Sequence, residues 1–145
     1  MALALAVAAA LGLIVATVLV HYEALSIAGR LMRGFHVRPR QRVLVAILTC
    51  MVAHLLAVLI LAGLLAVLVQ VPGMGRIAGA FEPGVRDFVY LALTSYTTLG
   101  IGDLWPEGPI RLVVGVAALN GFLLITWTAS FTYLVMQRYW HPDAG

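Results

Sequence analysis

The stretch DFVYLALTSYTTLGIGD, which runs from Asp87 to Asp103, decides the fold of this chain. Its first ten residues are mostly apolar and follow Pro83, and a proline and an early acidic residue both suit the start of a helix. Two glycines spaced two apart, Gly100 and Gly102, come after them. The stretch therefore predicts a helix over residues 86–97, too short to cross a bilayer, that leads into an irregular segment.

Three apolar segments without a charged residue surround this stretch, at residues 1–20, 43–71 and 112–137. Each is about as long as the roughly 20 residues that a membrane-spanning helix needs. Their Ala, Leu, Val and Gly residues lack the alternation of barrel strands. We therefore predict an all-α integral membrane protein with three transmembrane helices and a re-entrant half-length helix followed by a loop.

The composition agrees with a chain that is dissolved mostly in lipid. Hydrophobic residues make up 63% of the 145 residues and charged residues 10%, whereas soluble domains are about half apolar and a quarter charged. These values exclude a cytosolic enzyme and a disordered protein. The single cysteine, Cys50, forms no internal disulfide, and the four histidines show no metal-binding pattern.

The two connections between the apolar segments differ in charge. Residues 21–42 contain five of the nine arginines, whereas residues 72–111 contain three arginines and four acidic residues. The positive-inside rule places the first connection and the C-terminus in the cytoplasm and the N-terminus outside a plasma (inner) membrane. The arginines are explained by topology and lipid headgroup contact, with a lever that senses anionic lipid as the alternative.

The irregular segment, residues 98–103, suits a row of backbone carbonyls that line an ion path. Carbonyls of an ordinary strand alternate sides, so pointing them at one axis requires a backbone that alternates between right- and left-handed conformations. Glycine alone adopts the left-handed one freely, and Gly100 and Gly102 have the required spacing. Such carbonyls replace the water oxygens around a cation, and Thr98 adds a hydroxyl oxygen.

This segment, TLGIGD at residues 98–103, resembles the selectivity filter of potassium channels, whose usual sequence is Thr-Val-Gly-Tyr-Gly-Asp. The resemblance extends to an outer helix at residues 43–71, a pore helix at residues 86–97 and an inner helix at residues 110–138. It implies passive conduction of monovalent cations, potassium above all, through backbone carbonyls at a fourfold axis. Four chains would then surround one pore, as a homotetramer.

The resemblance also assigns roles to individual residues. The residues that it implies as ligands of potassium in the filter are Thr98, Leu99, Gly100, Ile101 and Gly102. The residues expected to support the filter are Tyr90, Thr94, Tyr96, Thr97 and Asp103. The residues expected to line the inner cavity or the gate are Gly121, Phe122, Ile125, Ala129 and Tyr133.

Two positions depart from the family pattern. Ile101 replaces a tyrosine whose hydroxyl ties the filter to the pore helix, and Leu99 replaces a valine. Both side chains are expected to pack behind the carbonyls. Thr94 stands near the place where some members have a carboxylate. These departures predict a less firmly held filter, in which Tyr90 and Tyr96 need other partners, although potassium remains favoured over sodium.

The remaining part of the chain divides into an extra N-terminal helix, residues 1–22, and a cytoplasmic basic loop, residues 23–42, that precede the pore domain at residues 43–139. The first helix has no basic residue before its apolar run, so we expect it to be retained rather than cleaved. Part of the basic loop, from Glu23 to Phe35, is weakly amphipathic and is a candidate interfacial helix. Small residues of the first helix would stabilise the tetramer by close packing: Ala8, Ala9, Gly12 and Ala16.

Three polar or small residues inside the spans have two interpretations each. Gly121 is either a hinge of the inner helix or a site of close helix packing. His54 lies near the middle of the second span, where an ionisable group is a functional candidate, but a neutral imidazole bonded to a neighbouring helix is favoured. Asn120 is expected to form an interhelical hydrogen bond.

Other functions fit the sequence less well. A non-conducting membrane scaffold or accessory subunit with the same pore-loop fold is one alternative, and a weakly selective cation channel is another. An enzyme or a proton-coupled carrier lacks support, because the chain has no nucleophile elbow and no paired repeats. The expected partners are identical subunits, membrane lipids and permeant potassium, without nucleic acid and without an enzymatic cofactor.

Overall fold

The computed structural model describes residues 1–34 and 39–140. Its elements in chain order are α1 (Ala2–Gly34), α2 (Pro39–Leu68), β1 (Arg76–Gly79), α3 (Val85–Tyr96), β2 (Leu104–Glu107) and α4 (Ile110–Trp140). Helices α1, α2 and α4 are long and apolar enough to cross a membrane, which confirms the three predicted spans by length and composition. Helix α3 has 12 residues, about 18 Å, and is too short to cross.

Helix α1 is longer than the sequence predicted. Its 33 residues extend about 50 Å, beyond the roughly 30 Å of a hydrocarbon core. The expected boundary between residues 1–22 and 23–42 is therefore not an end of the helix. No proline occurs before Pro39, so no proline ends the helix at the expected boundary after residue 22. The basic connection lies partly on α1 and α2, and residues 35–38 lie outside the described part of the chain.

One face of α1 packs against α2 and α4 of the same chain. The buried residues of this face recur every three or four positions, which places them on one side of the helix; they are Ala6, Ala10, Leu13, Thr17, His21 and Leu25. Ala8 and Gly12, by contrast, are exposed. Ala9 and Ala16 are half-buried. Two of the four small residues singled out in the sequence are therefore available for contacts outside the chain, and their part in a tetramer stays a prediction.

The main hydrophobic core joins all four helices and both strands. Its fully buried large side chains include Leu61 and Leu65 of α2 and Ile110 and Val113 of α4. Leu91, on α3, belongs to the same cluster. The core thus holds α3 between α2 and α4. This packing fixes the position of the segment that follows α3.

The connection between α2 and α4 contains a two-stranded antiparallel sheet that the sequence did not predict. Arg76 of β1 pairs with Glu107 of β2. Glycines allow the strands to approach, because a Cβ at Gly75 would collide with the carbonyl of Glu107, and one at Gly79 with the carbonyl of Asp103. Strands of four residues are too short to show a clear alternating pattern. The sheet brings the start of this connection beside the end of residues 98–103, the filter segment.

Candidate functional site

The site is built at the carboxyl end of α3, the predicted pore helix. The helix covers Val85–Tyr96, one residue earlier at each end than the predicted range 86–97. Gly84, at its N-cap, offers no side-chain cap. Instead, Asp87 Oδ2 accepts a hydrogen bond of 2.8 Å from the backbone N–H of Glu82, which ties the incoming chain to the first turn. An acidic residue in that turn is also favourable for the helix dipole.

The filter segment, residues 98–103, alternates in backbone handedness. Positive φ angles occur at Thr98 (60°), Gly100 (55°) and Gly102 (87°). The two glycines adopt the conformation that their spacing predicted, whereas Thr98 does so without the freedom of glycine, at a cost of roughly 1–2 kcal/mol. An alternation of this kind turns successive carbonyls toward the same side of the segment.

Backbone hydrogen bonds hold the start of the filter segment to the last turn of α3. The N–H of Thr97 donates to Leu93 O at 3.0 Å, and the N–H of Gly100 donates to Thr94 O at 3.1 Å. The hydroxyl of Thr94 bonds to carbonyls of its own helix, those of Tyr90 and Leu91. Thr94 therefore supports the filter segment through its backbone and not through its side chain.

The residues of the filter segment are exposed within one chain. Leu99 is 65% exposed and Ile101 is 59% exposed, so the expected packing of these side chains behind the carbonyls does not occur within the chain. One chain supplies only one wall, and nothing in the described residues of the same chain covers the other side of these two side chains. An exposed apolar surface of this kind is available for contact with further protein or with lipid.

The outer end of the filter segment is tied to α3 and β1. The Tyr90 hydroxyl donates to Asp103 Oδ2 at 2.9 Å, and the Asp103 carbonyl accepts the N–H of Ala80 at 3.2 Å. The hydrogen bond to this carboxylate raises the pKa of Tyr90. Tyr90 and Asp103 border a polar recess of about 420 Å³. The structure thus gives Tyr90 the partner that the sequence left open.

Glu107, which lies shortly after the filter segment, is paired with an arginine. Its Oε2 lies 2.8 Å from Nε of Arg76, and the Arg76 guanidinium lowers the pKa of the Glu107 carboxyl. Asp103 and Glu107 are the first two acidic residues that follow the filter glycines, and unpaired negative charge there would concentrate cations. Because Arg76 offsets the charge of Glu107, only the contribution of Asp103 remains for that purpose.

Gly121 of α4 lies against the end of α3. A Cβ added at Gly121 would collide with the carbonyl oxygen of Tyr96. Of the two interpretations of this glycine, the structure supports close packing, and it identifies Tyr96 as the residue that needs the space. Helix α4 is continuous from Ile110 to Trp140.

Of the five residues that the sequence assigned to an inner cavity or gate, Gly121 is buried and the other four lie on exposed faces of α4. Phe122 is exposed, and so are Ile125, Ala129 and Tyr133. The Tyr133 hydroxyl accepts a hydrogen bond of 2.7 Å from the side chain of Gln137. These residues do not contact the core of their own chain extensively, so the face is available to line a space shared with other subunits.

Polar side chains in the interior form hydrogen bonds between helices. Asn120 Nδ2 donates to Thr17 Oγ1 at 2.8 Å, the interhelical bond that was expected of Asn120. His54 contacts Tyr96 at 2.9 Å, which is the favoured interpretation of that histidine. His21 of α1 also lies beside His54, with their ring centroids 5.0 Å apart. No sequence pattern predicts this proximity, so it was missed. Among residues 1–34 and 39–140, no group of three or more His, Cys, Asp or Glu residues could hold a metal ion.

Comparison with known proteins gives one family match. A family model described as "ion channel" matches residues 53–138, more than half of the chain. The matched region begins in α2, includes α3 and the filter segment, and ends near the last turn of α4. Helix α1 lies outside it. No curated protein and no solved structure matches the chain.

Proposed function

Since the chain belongs to the ion channel family, we propose that it conducts potassium passively through a filter formed by the backbone carbonyls of residues 98–102. In this proposal the permeant ion loses its water to the carbonyls of Thr98, Leu99, Gly100 and Ile101, with the Thr98 hydroxyl at the inner entrance. The chain acts as a pore rather than an enzyme and needs no cofactor besides the potassium ions that pass.

The alternating φ angles carry this proposal. A cation without its water shell needs several oxygens directed at one line, and left-handed conformations such as those at Thr98, Gly100 and Gly102 would direct consecutive carbonyls in that way. The 12-residue helix α3 ends directly before the segment, so its partially negative carboxyl end favours a cation nearby.

The exposed apolar surface supports a homotetramer as the conducting form. Leu99 and Ile101 are both more than half exposed in one chain, and one filter segment surrounds no ion. Four copies with closed symmetry would cover these side chains and complete the ring. The exposed faces of α4 that include Phe122 and Tyr133 would then enclose an inner cavity.

We propose that the assembly lies in the plasma (inner) membrane with the filter segment near the outer side. The arginines of residues 21–42 support a cytoplasmic connection between α1 and α2. The N-terminus is then outside and the C-terminus inside. This arrangement places β1 and β2 at the outer surface, where the exposed pair Arg76–Glu107 meets water.

A weakly selective cation channel is the second candidate, and Ile101 is the observation that favours it. A side chain without polar atoms gives the middle of the filter segment no hydrogen bond to its surroundings. Small changes of the carbonyl positions would then cost less, and sodium would be bound more readily.

The decisive experiment measures ion flux through the purified full-length chain in vesicles. Vesicles loaded with potassium should lose it when the protein is present, in the absence of a proton gradient, and loss of sodium should be much slower. Gly100→Ala places a Cβ on a residue with a φ of 55°, so we expect it to abolish most of the flux.

Gly63→Ala is the matched control, because a Cβ at Gly63 in α2 meets no atom within 4 Å and the change should preserve flux. Equal loss of sodium and potassium would support the weakly selective channel. Absence of any flux, together with a tetramer that Gly100→Ala leaves unchanged, would contradict conduction and support the non-conducting scaffold.

A further inference from the structure

Four side chains from four helices form one hydrogen-bonded chain through the interior. Tyr96 Oη of α3 lies 2.9 Å from His54 Nδ1 of α2, and His54 Nε2 lies 2.9 Å from Thr128 Oγ1 of α4. Thr128 Oγ1 also lies 3.0 Å from Nε2 of His21, on α1. This four-helix polar chain connects the end of the pore helix to all three membrane-spanning helices.

The number of available protons fixes the direction of these hydrogen bonds. The Thr128 hydroxyl has one hydrogen, so it donates to one imidazole and accepts from the other. If Tyr96 donates to His54, His54 donates to Thr128 and Thr128 donates to His21, only the Nδ1–H of His21 is left without a partner among the described residues. The opposite direction leaves both the Tyr96 hydroxyl hydrogen and His21 Nδ1 unpaired. The first direction therefore has the lower free energy.

Tyr96 is held from two sides at the start of the filter segment. Its side chain is 3% exposed and bonds to His54, while its backbone carbonyl lies against Gly121. Thr98, only two residues further, has the left-handed φ of 60°. A non-glycine residue keeps such a conformation only where its surroundings enforce it, and the fixed position of Tyr96 provides that restraint.

We propose that His54, Thr128 and His21 are positioning residues, which hold Tyr96 in place and thereby keep the filter segment in its ion-selective shape. This inference rests on the proposed function of residues 98–102.

The need for such residues follows from the middle of the filter segment. Leu99 and Ile101 have no polar side-chain atom, so neither can be tied by a side-chain hydrogen bond. The side chains that hold the segment therefore act at its two ends. Tyr90 and Asp103 form the outer attachment, and the four-helix polar chain, through Tyr96, forms the inner one.

Selectivity of the full-length channel tests the proposal. Tyr96→Phe and Thr128→Val each remove one hydroxyl of the polar chain. The first leaves His54 Nδ1 unpaired, and the second leaves Nε2 of both His54 and His21 unpaired. We expect each to lower the ratio of potassium to sodium permeability, measured from reversal potentials in lipid bilayers, by about fivefold or more.

Two matched controls remove a hydroxyl elsewhere. Tyr22→Phe alters an exposed tyrosine of α1, and Thr49→Val alters a threonine whose hydroxyl donates to the carbonyl of Val45 in its own helix. Both should keep the permeability ratio of the unaltered channel. If Tyr96→Phe and Thr128→Val also keep it while the tetramer persists on sizing, the proposal is wrong.

A double-mutant cycle distinguishes a shared role from two separate ones. His54→Leu leaves the Tyr96 hydroxyl unpaired, and Tyr96→Phe leaves His54 Nδ1 unpaired, but the double variant leaves neither. The double variant should therefore lose less selectivity than the sum of the two single losses. Strictly additive losses would show that the two residues act independently, and would overturn the proposal.

Nuclear magnetic resonance of the full-length protein in lipid nanodiscs provides a readout that requires no current. We expect His54 to carry its proton on Nε2, and Tyr96→Phe to shift the amide signals of Gly100 and Gly102, whereas Tyr22→Phe leaves them in place. Unshifted glycine signals in Tyr96→Phe would refute the positioning role. A channel without potassium preference that still shows these shifts would refute the proposed function alone.

Discussion

Individual residues of the filter segment owe their conformation to different causes. Gly100 and Gly102 adopt positive φ angles because they lack a Cβ, which is a property of the residue itself. Thr98 adopts the same conformation although its own preference opposes it. The fold, through the residues around Tyr96, has to impose that conformation, so substitutions at the surrounding residues matter as much as substitutions of the glycines.

Tyr90→Phe removes the donor that ties the pore helix to Asp103. We expect the variant to assemble normally and to select potassium less strictly, because the outer end of the filter segment loses its side-chain attachment. The ratio of potassium to sodium permeability from reversal potentials is the measurement. Tyr22→Phe serves as the control, and an unchanged ratio in Tyr90→Phe would show that the attachment is dispensable.

The same bond predicts a dependence on alkaline pH. Asp103 raises the pKa of Tyr90 above its ordinary value of 10.0, because the protonated hydroxyl is the form that donates. The stabilisation is therefore fully present below pH 10.0 and is lost as the pH rises through the raised pKa of the folded protein. We expect selectivity of the unaltered channel to fall in that range, and Tyr90→Phe to show no such step in reversal potentials.

Gly121→Ala tests the close approach of α4 to Tyr96. In a helix, alanine is ordinarily more favourable than glycine by about 1 kcal/mol, but here the new Cβ collides with the Tyr96 carbonyl. We expect a net destabilisation of about 1–3 kcal/mol in thermal unfolding, together with loss of selectivity. Gly63→Ala, which meets no atom within 4 Å, should be neutral or stabilising. Equal stability of the two variants would contradict the contact.

At the scale of elements, the sheet of β1 and β2 depends on close backbone approach and not on its ion pair. Gly79 has a φ of 97°, and a Cβ there would collide with the Asp103 carbonyl. We expect Gly79→Ala to destabilise the protein by about 1–3 kcal/mol in thermal unfolding. Glu107→Gln should leave the melting temperature unchanged, because the side chains of Arg76 and Glu107 are 77% and 42% exposed and exposed pairs contribute little. A larger destabilisation by Glu107→Gln than by Gly79→Ala would show that the sheet depends on the ion pair instead.

Helix α1 is attached to α4 partly through the hydrogen bond between Thr17 and Asn120. Thr17→Val leaves Asn120 without its acceptor, and interhelical bonds in membranes contribute about 0.6–2 kcal/mol. We expect the free energy of unfolding, measured by thermal unfolding in detergent, to fall by an amount of this size. Thr49→Val, which removes a hydroxyl bonded within one helix, should cost less, and an equal cost would show that the bond between helices contributes nothing.

Local signals in the sequence predicted the elements, whereas contacts between distant residues had to come from the structure. Pro83, Asp87 and the glycine pair lie within one short stretch, so the short helix was predicted to within one residue at each end, and positive φ angles occur at both glycines. The bond between His54 and Tyr96 joins residues 42 positions apart, and no periodicity encodes it. The extension of α1 through residue 23 was also missed, because the end of an apolar run was taken as the end of a helix.

At the scale of the whole molecule, the spans followed from hydrophobicity, but the way α1 packs did not. Every face of α1 is apolar enough for lipid, so the sequence did not distinguish the face that meets α2 and α4. The structure selects the face with Ala6, Ala10 and Thr17, where small residues permit close approach. Selection of one face depends on the complementary surface, which is a property of the assembled fold.

One filter segment per chain has a genetic consequence. In the proposed tetramer every pore needs four intact copies of residues 98–103. A cell that makes intact chains and Gly100→Ala chains in equal amounts, with random mixing, would form about one fully intact pore in sixteen. A defective allele of this protein would thus be dominant. Silencing the defective allele would restore more current than adding another copy of the normal allele.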